Sequence, residues 1–180
     1  MSVIVTGASG FIGGAIARAL ADRDETVYAL CRRDPEIPGV NFQHWDITES
    51  APAAVTSLAK SATAVFHCAG IASVSADDDE LYEVKVTGTR NVLDAFPKAR
   101  IVHMSSTTVY SESEPHAELW EEAGPKDPND FADAYSRTHA LAEQLVMRIR
   151  PDAAILRPAA VYGPGVTMVM PFLARSAKKG

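Results

Sequence analysis

The sequence predicts a doubly wound α/β domain with a mostly parallel sheet, and three observations carry that prediction. A short β-branched run, Val3 to Thr6, stops at glycine and is followed by apolar residues at helical spacing, which reads as strand, tight turn, helix. Further along, short apolar runs alternate with helical patterns, the signature of a parallel sheet covered on both faces. The chain has 180 residues, 47% hydrophobic and 22% charged, which suits one core and a single domain.

The elements follow in order. The first helix spans residues 11 to 21, where Phe11, Ile12, Ala15, Ile16, Ala19 and Leu20 share one face. "TVYALC" (26 to 31) is the second strand, "VNFQHW" (40 to 45) the third, and 52 to 61 a helix. "ATAVFHCAG" (62 to 70) reads as a buried strand running into a small-residue turn. Residues 79 to 96 form one helical pattern, "RIVHMSS" (100 to 106) a strand, 133 to 149 a long helix, and "AAILRP" (153 to 158) the sixth strand. The expected strand order is 3-2-1-4-5-6. Residues 110 to 132, rich in Ser, Glu and Pro, are too long for a plain connector and read as an active-site flap or a floppy surface excursion.

Composition excludes several classes. A net charge of −6 argues against a broad nucleic-acid surface. Cys31 and Cys68 show no CxxC spacing and no neighbouring His/Cys cluster, so no metal site is expected and both read as reduced, buried thiols. No run approaches the roughly 18 apolar residues of a membrane span, and no basic leader precedes the first strand, so the expectation is a cytoplasmic protein without a membrane partner.

The glycines carry the first chemistry. Gly7, Gly10 and Gly13 stand at the junction of strand and helix, where the first permits the turn, the second admits a pyrophosphate and the third lets the helix pack close. Free amides and the positive end of the helix dipole then face the ligand. The candidate dinucleotide site is thus Thr6, Gly7, Ser9, Gly10, Phe11, Ile12 and Gly13. The second strand ends in Arg32 and Arg33, with no carboxylate for the ribose hydroxyls. An arginine there suits a 2′-phosphate, which favours NADP over NAD, although two surface arginines would look the same. Asp46, followed by Ile47, is a candidate adenine neighbour or, equally, a turn aspartate. Tyr135 and His139 lie four residues apart, hence on one helix face.

"TGASGFIGG", "VFHCAG", "VKVTGTRNVLDA", "HMSSTTVYS", the Tyr135 region and "LRPAAVYGPG" occur in that order. Together they resemble the extended short-chain dehydrogenase/reductase family, in its branch of NAD(P)-dependent sugar epimerases, dehydratases and reductases. The resemblance covers essentially the whole chain and implies a Rossmann-like NAD(P)-binding domain over residues 1 to 180. It adds Ala69, Gly70, Lys85 and Pro158 to the cofactor-binding candidates. The implied chemistry is hydride transfer coupled to proton transfer, with Tyr135 exchanging the proton and Ser106, or Thr107 beside it, binding the same oxygen. Thr107 and Thr108 stand where the family's dehydratases carry an acidic pair, so sugar dehydration is not expected.

Two positions depart from the family pattern. His139 occupies the lysine place of Tyr-x-x-x-Lys and is mostly neutral at physiological pH, so it assists Tyr135 less, while its imidazole still bonds a ribose hydroxyl and joins both the catalytic and the cofactor-binding candidates. Lys85 stands where asparagine is common; it supplies the missing charge or, in the preferred reading, is a helix-surface lysine. Family members continue well beyond this length, so 158 to 180 reads as the start of a missing substrate-binding part. The expected activity is an oxidoreductase or epimerase on a nucleotide sugar or another hydroxyl or carbonyl compound, with a homodimer left open. The rivals are a cofactor-binding regulator or partner subunit without turnover, and a fragment of a longer enzyme.

Overall fold

The computed structural model describes residues 1–73, 76–110, 119–164 and 166. Six strands, β1 (Ser2–Thr6), β2 (Val27–Cys31), β3 (Val40–His44), β4 (Ala62–His67), β5 (Arg100–Met104) and β6 (Ala154–Leu156), form one sheet in the order β3-β2-β1-β4-β5-β6. Every pairing is parallel. The expected order and fold class are met.

Residue alternation divides the core. Ile4, Leu30, Val65 and Ile101 point to one face, where they meet Val92, Phe96, Leu145 and Val146. Val5, Val27, Ala29 and Cys31 point to the other, against Ala17 of helix α1 (Phe11–Ala21). The central strand β1 is buried along its whole length, whereas edge strand β3 is largely exposed.

The short helix α2 (Ala53–Leu58) falls inside its expected range. The single helix expected over 79 to 96 is interrupted. It runs as α3 (Asp78–Tyr82), a π-helical turn (Glu83–Thr87) and α4 (Gly88–Ala95). The Gly88 amide reaches back five residues to the Glu83 carbonyl, and the Thr89 hydroxyl takes the Lys85 carbonyl at 2.5 Å. That side-chain bond competes with the regular ladder, the physical reason for the wider turn. Helix α5 (Ala134–Ile149) is capped by Asp133, whose Oδ1 accepts from the Ser136 amide at 2.8 Å.

One ion pair fixes α5 against its surroundings. Glu143 is fully buried and accepts from Arg157 Nη2 at 2.7 Å and from Nε at 2.9 Å. The same guanidinium donates to the Tyr110 hydroxyl, the Glu121 carbonyl and the Gly124 carbonyl. The described flanks of the 110 to 132 segment are therefore tied down, which departs from a floppy excursion; residues 111 to 118 lie outside the described residues. Among the described residues no helix is long and apolar enough to cross a membrane.

Candidate functional site

The turn after β1 is shaped by backbone proximity. Gly7 holds φ +69, and a Cβ there would lie 2.6 Å from Ala69 Cα, in the turn after β4. A Cβ on Gly13 would run into the Gly7 carbonyl. Gly10 differs: its Cβ would meet nothing nearer than the Gly7 oxygen at 3.2 Å. As the N-cap of α1 it provides no side-chain cap, which leaves the first-turn amides to an incoming ligand.

A cleft of about 590 Å³ opens beside this turn. Gly7, Gly10, Phe11, Ile12 and Gly13 line one end, Ala69 and Gly70 one side, and Lys85, Ser106, Tyr135, His139 and Pro158 the other end. The Ser105 amide bonds the Leu156 carbonyl and the Thr107 amide the Pro158 carbonyl, which brings the end of β5 beside the end of β6. A polar hollow of about 630 Å³ adjoins, sharing Gly10 and Phe11 with the first and lined by Ser9, Arg18, Arg32 and Arg33. The described residues of 110 to 132 line neither.

Three candidates lie elsewhere. Thr6 is wholly buried beneath the turn. Asp46 accepts from the Thr48 amide and hydroxyl and sits 4.0 Å from Arg32; burial opposes its charge, yet those bonds and Arg32 hold its carboxyl below the usual range. The turn reading of Asp46 thus matches its contacts. Ile47 packs where a Cβ on Gly88 would strike it, 2.6 Å away.

At the other end of the cleft, the Tyr135 and His139 rings meet edge to face with centroids 4.7 Å apart. Burial raises the Tyr135 pKa, a bond with the Ser106 hydroxyl opposes the rise, and Asp133 adds to it. The preferred surface reading of Lys85 is overturned. The residue is only 4% exposed, and its Nζ lies 3.3 Å from the Tyr135 ring centroid. The π-helical turn and the burial of its neighbours on that helix face carry it inward. Burial brings Lys85 down to about 7, against the opposing pull of Asp133. Burial first, then Lys85 and His103, bring His139 down to about 2.

A hydrogen-bonded chain underlies the cleft. The Lys85 carbonyl can only accept, so the Thr89 hydroxyl donates to it and accepts from His67 Nε2 at 2.9 Å. His67 Nδ1 is then the acceptor for Thr6 Oγ1, 2.7 Å away, which itself accepts from the Ala69 amide. The chain fixes His67 as a neutral Nε2–H tautomer, and burial, reinforced by His103, keeps its pKa well below the usual value. Sequence reasoning passed over His67 and its register partner His103, also buried, whose pKa burial lowers to about 4. Imidazoles inside otherwise apolar strand runs were the available signal. Among the described residues no group of His, Cys, Asp or Glu could hold a metal ion.

A family model described as the NAD dependent epimerase/dehydratase family matches residues 3–180. The 2-alkyl-3-oxoalkanoate reductase of Stenotrophomonas maltophilia is 32% identical over 100% of this chain and 57% of its own length. A decarboxylating sterol-4-alpha-carboxylate 3-dehydrogenase of Saccharomyces cerevisiae is 29% identical over 99% of this chain and 56% of its own. Among solved structures, MoeE5 in complex with UDP-glucose and NAD matches with a TM-score of 0.77 and 27% identity, over 97% of this chain and 59% of that one. The chain thus spans little more than half the length of these relatives.

Proposed function

The chain belongs to the NAD dependent epimerase/dehydratase family, and from that premise we propose that it is the cofactor-binding part of an oxidoreductase or epimerase acting on a hydroxyl or carbonyl compound. The observation that carries this reading is the single cleft in which the glycine turn meets Ser106 and Tyr135. The residues present fit a nicotinamide dinucleotide: uncapped amides at the start of α1, room at Gly10, and arginines in the adjoining hollow.

A bound nicotinamide supplies or accepts the hydride. The phenol of Tyr135 gives its proton to the substrate oxygen in the reductive direction and takes it back in the oxidative one. Ser106, which lines the same cleft, holds that oxygen by its hydroxyl. Arg32 and Arg33 favour NADP by pairing with a 2′-phosphate. The substrate class is a nucleotide sugar or another hydroxyl or carbonyl compound, in keeping with a carbonyl reductase, a sterol dehydrogenase and a UDP-glucose complex among the relatives. Residues 158 to 180, of which 165 and 167 to 180 lie outside the described residues, are read as the start of the substrate-binding part.

The test is NAD(P)H turnover on UDP-sugars, 3-oxo acids and sterols, together with calorimetry. Tyr135→Phe is expected to lower turnover roughly 10²–10⁴-fold while sparing cofactor binding. Unchanged turnover would remove Tyr135 from the reaction. A binding protein without turnover is the second reading, favoured by the neutrality that burial imposes on His139.

A further inference from the structure

Lys85 is 4% exposed, and its Nζ has no hydrogen-bond partner among the described residues. A lysine ammonium has three donors and a strong hydration shell, so burying one with no acceptor is costly, and a position needing only bulk would be served by Leu or Met. The compensation present is the charge of Asp133, acting without a hydrogen bond to Nζ, and the face of one ring, that of Tyr135, 3.3 Å away. We propose that Lys85, carried inward by the π-helical turn, is the cationic partner of Tyr135 and stabilises the phenolate left when that residue gives up its proton.

The inference rests on the reading of Tyr135 as the proton-transfer group. Lys85 acts through Tyr135 and is a positioning residue for charge. Its position suits that task, because phenolate charge spreads into the ring and an ammonium over the ring face attracts the anion more strongly than the phenol.

The groups around Lys85 leave it no substitute. From α5 come Tyr135, His139 and the N-cap Asp133; from β5 comes His103; from β4 comes His67, through Thr89. Burial holds all three imidazoles neutral near pH 7, and Asp133 is an anion. Lys85 is then the group of this set that carries positive charge in the neutral range, and it loses that charge as pH rises through about 7.

The experiment measures the pH profile of carbonyl reduction together with ¹³C NMR of the lysine side chains, in the natural chain and in variants. Turnover is expected to fall on the alkaline side with a midpoint near 7, as the ammonium deprotonates. Lys85→Met is expected to lower turnover at slightly acidic pH roughly tenfold to a hundredfold and to flatten that limb. Adding His139→Lys to Lys85→Met returns an ammonium from the other neighbour of the ring and is expected to restore part of the turnover, which a purely structural role would not do.

The NMR arm reads the charge of Lys85 directly. A lysine resonance missing from Lys85→Met should titrate near 7, and a lysine already neutral at the pH of full turnover would overturn the proposal. If Tyr135→Phe retains activity, the reaction assignment fails. If Tyr135→Phe is inactive while Lys85→Met keeps both its rate and its alkaline limb, the role of Lys85 alone fails.

Discussion

The glycine turn at one end of the cleft and the Tyr135 cluster at the other are made of different material. At the turn, shape comes from missing side chains: Gly7 and Gly13 let two loops and a helix approach to distances a methyl group would forbid. No side chain caps α1 there. The other end is crowded with polar side chains cut off from water: Lys85, His103, Ser105 and Glu143 are each at most 4% exposed. Backbone geometry tolerates changes that stay clear of it, whereas a buried charge is sensitive to every partner it loses.

The largest effect on stability is therefore expected at the polar end. Arg157→Met removes the counter-charge of Glu143 and is expected to cost about 3–5 kcal/mol in denaturant unfolding. A loss below roughly 1 kcal/mol would mean that the buried carboxylate finds another partner or a proton, and the contrast would weaken. The glycine turn should then divide by position. Gly10→Val, at an extended backbone position where the added Cβ meets the Gly7 oxygen at 3.2 Å, is expected to lower the melting temperature less than a clash at Gly13 and to weaken dinucleotide binding about 100-fold, or roughly 2.8 kcal/mol, by calorimetry. Gly13→Ala, which collides with the Gly7 carbonyl, should instead destabilise the fold itself. Equal melting for both would break the argument from close approach.

The smallest effect belongs to the exposed rim. The Arg32 side chain is 73% exposed, so Arg32→Ala should leave stability untouched. It should weaken NADP roughly tenfold to a hundredfold while sparing NAD, since only NADP loses a charge-assisted contact to phosphate. Equal losses for both cofactors would make Arg32 a surface charge near Asp46.

The same contrast governs what the sequence discloses. Strand order and the glycine turn were legible, because periodicity and turn glycines are local signals, whereas Ser106 and Tyr135 were singled out by the family resemblance. The π-helical turn was not, since it follows from Thr89 bonding the Lys85 carbonyl inside an otherwise regular helical pattern. Lys85 was misjudged by its type. Its spacing told more: Leu81, Lys85 and Thr89 stand four apart and all three are buried. The pairing of Glu143 with Arg157 joins residues of different elements, and nothing local announces it.

That pairing also imposes an order in time. On a ribosome, Tyr110, Glu121 and Gly124 emerge well before the residue that holds them, because Arg157 lies 33 to 47 positions further on. Until it arrives, the connection between β5 and α5 has lost its anchor, and the Glu143 carboxylate must stay hydrated or take up a proton. The sheet can assemble vectorially from β1 to β5, since each strand's neighbour on the growing side is already present or soon to follow. Helix α5 holds Glu143 without its counter-charge until Arg157, one residue past the sixth strand, has left the exit tunnel, so the docking of that helix waits on a single arginine.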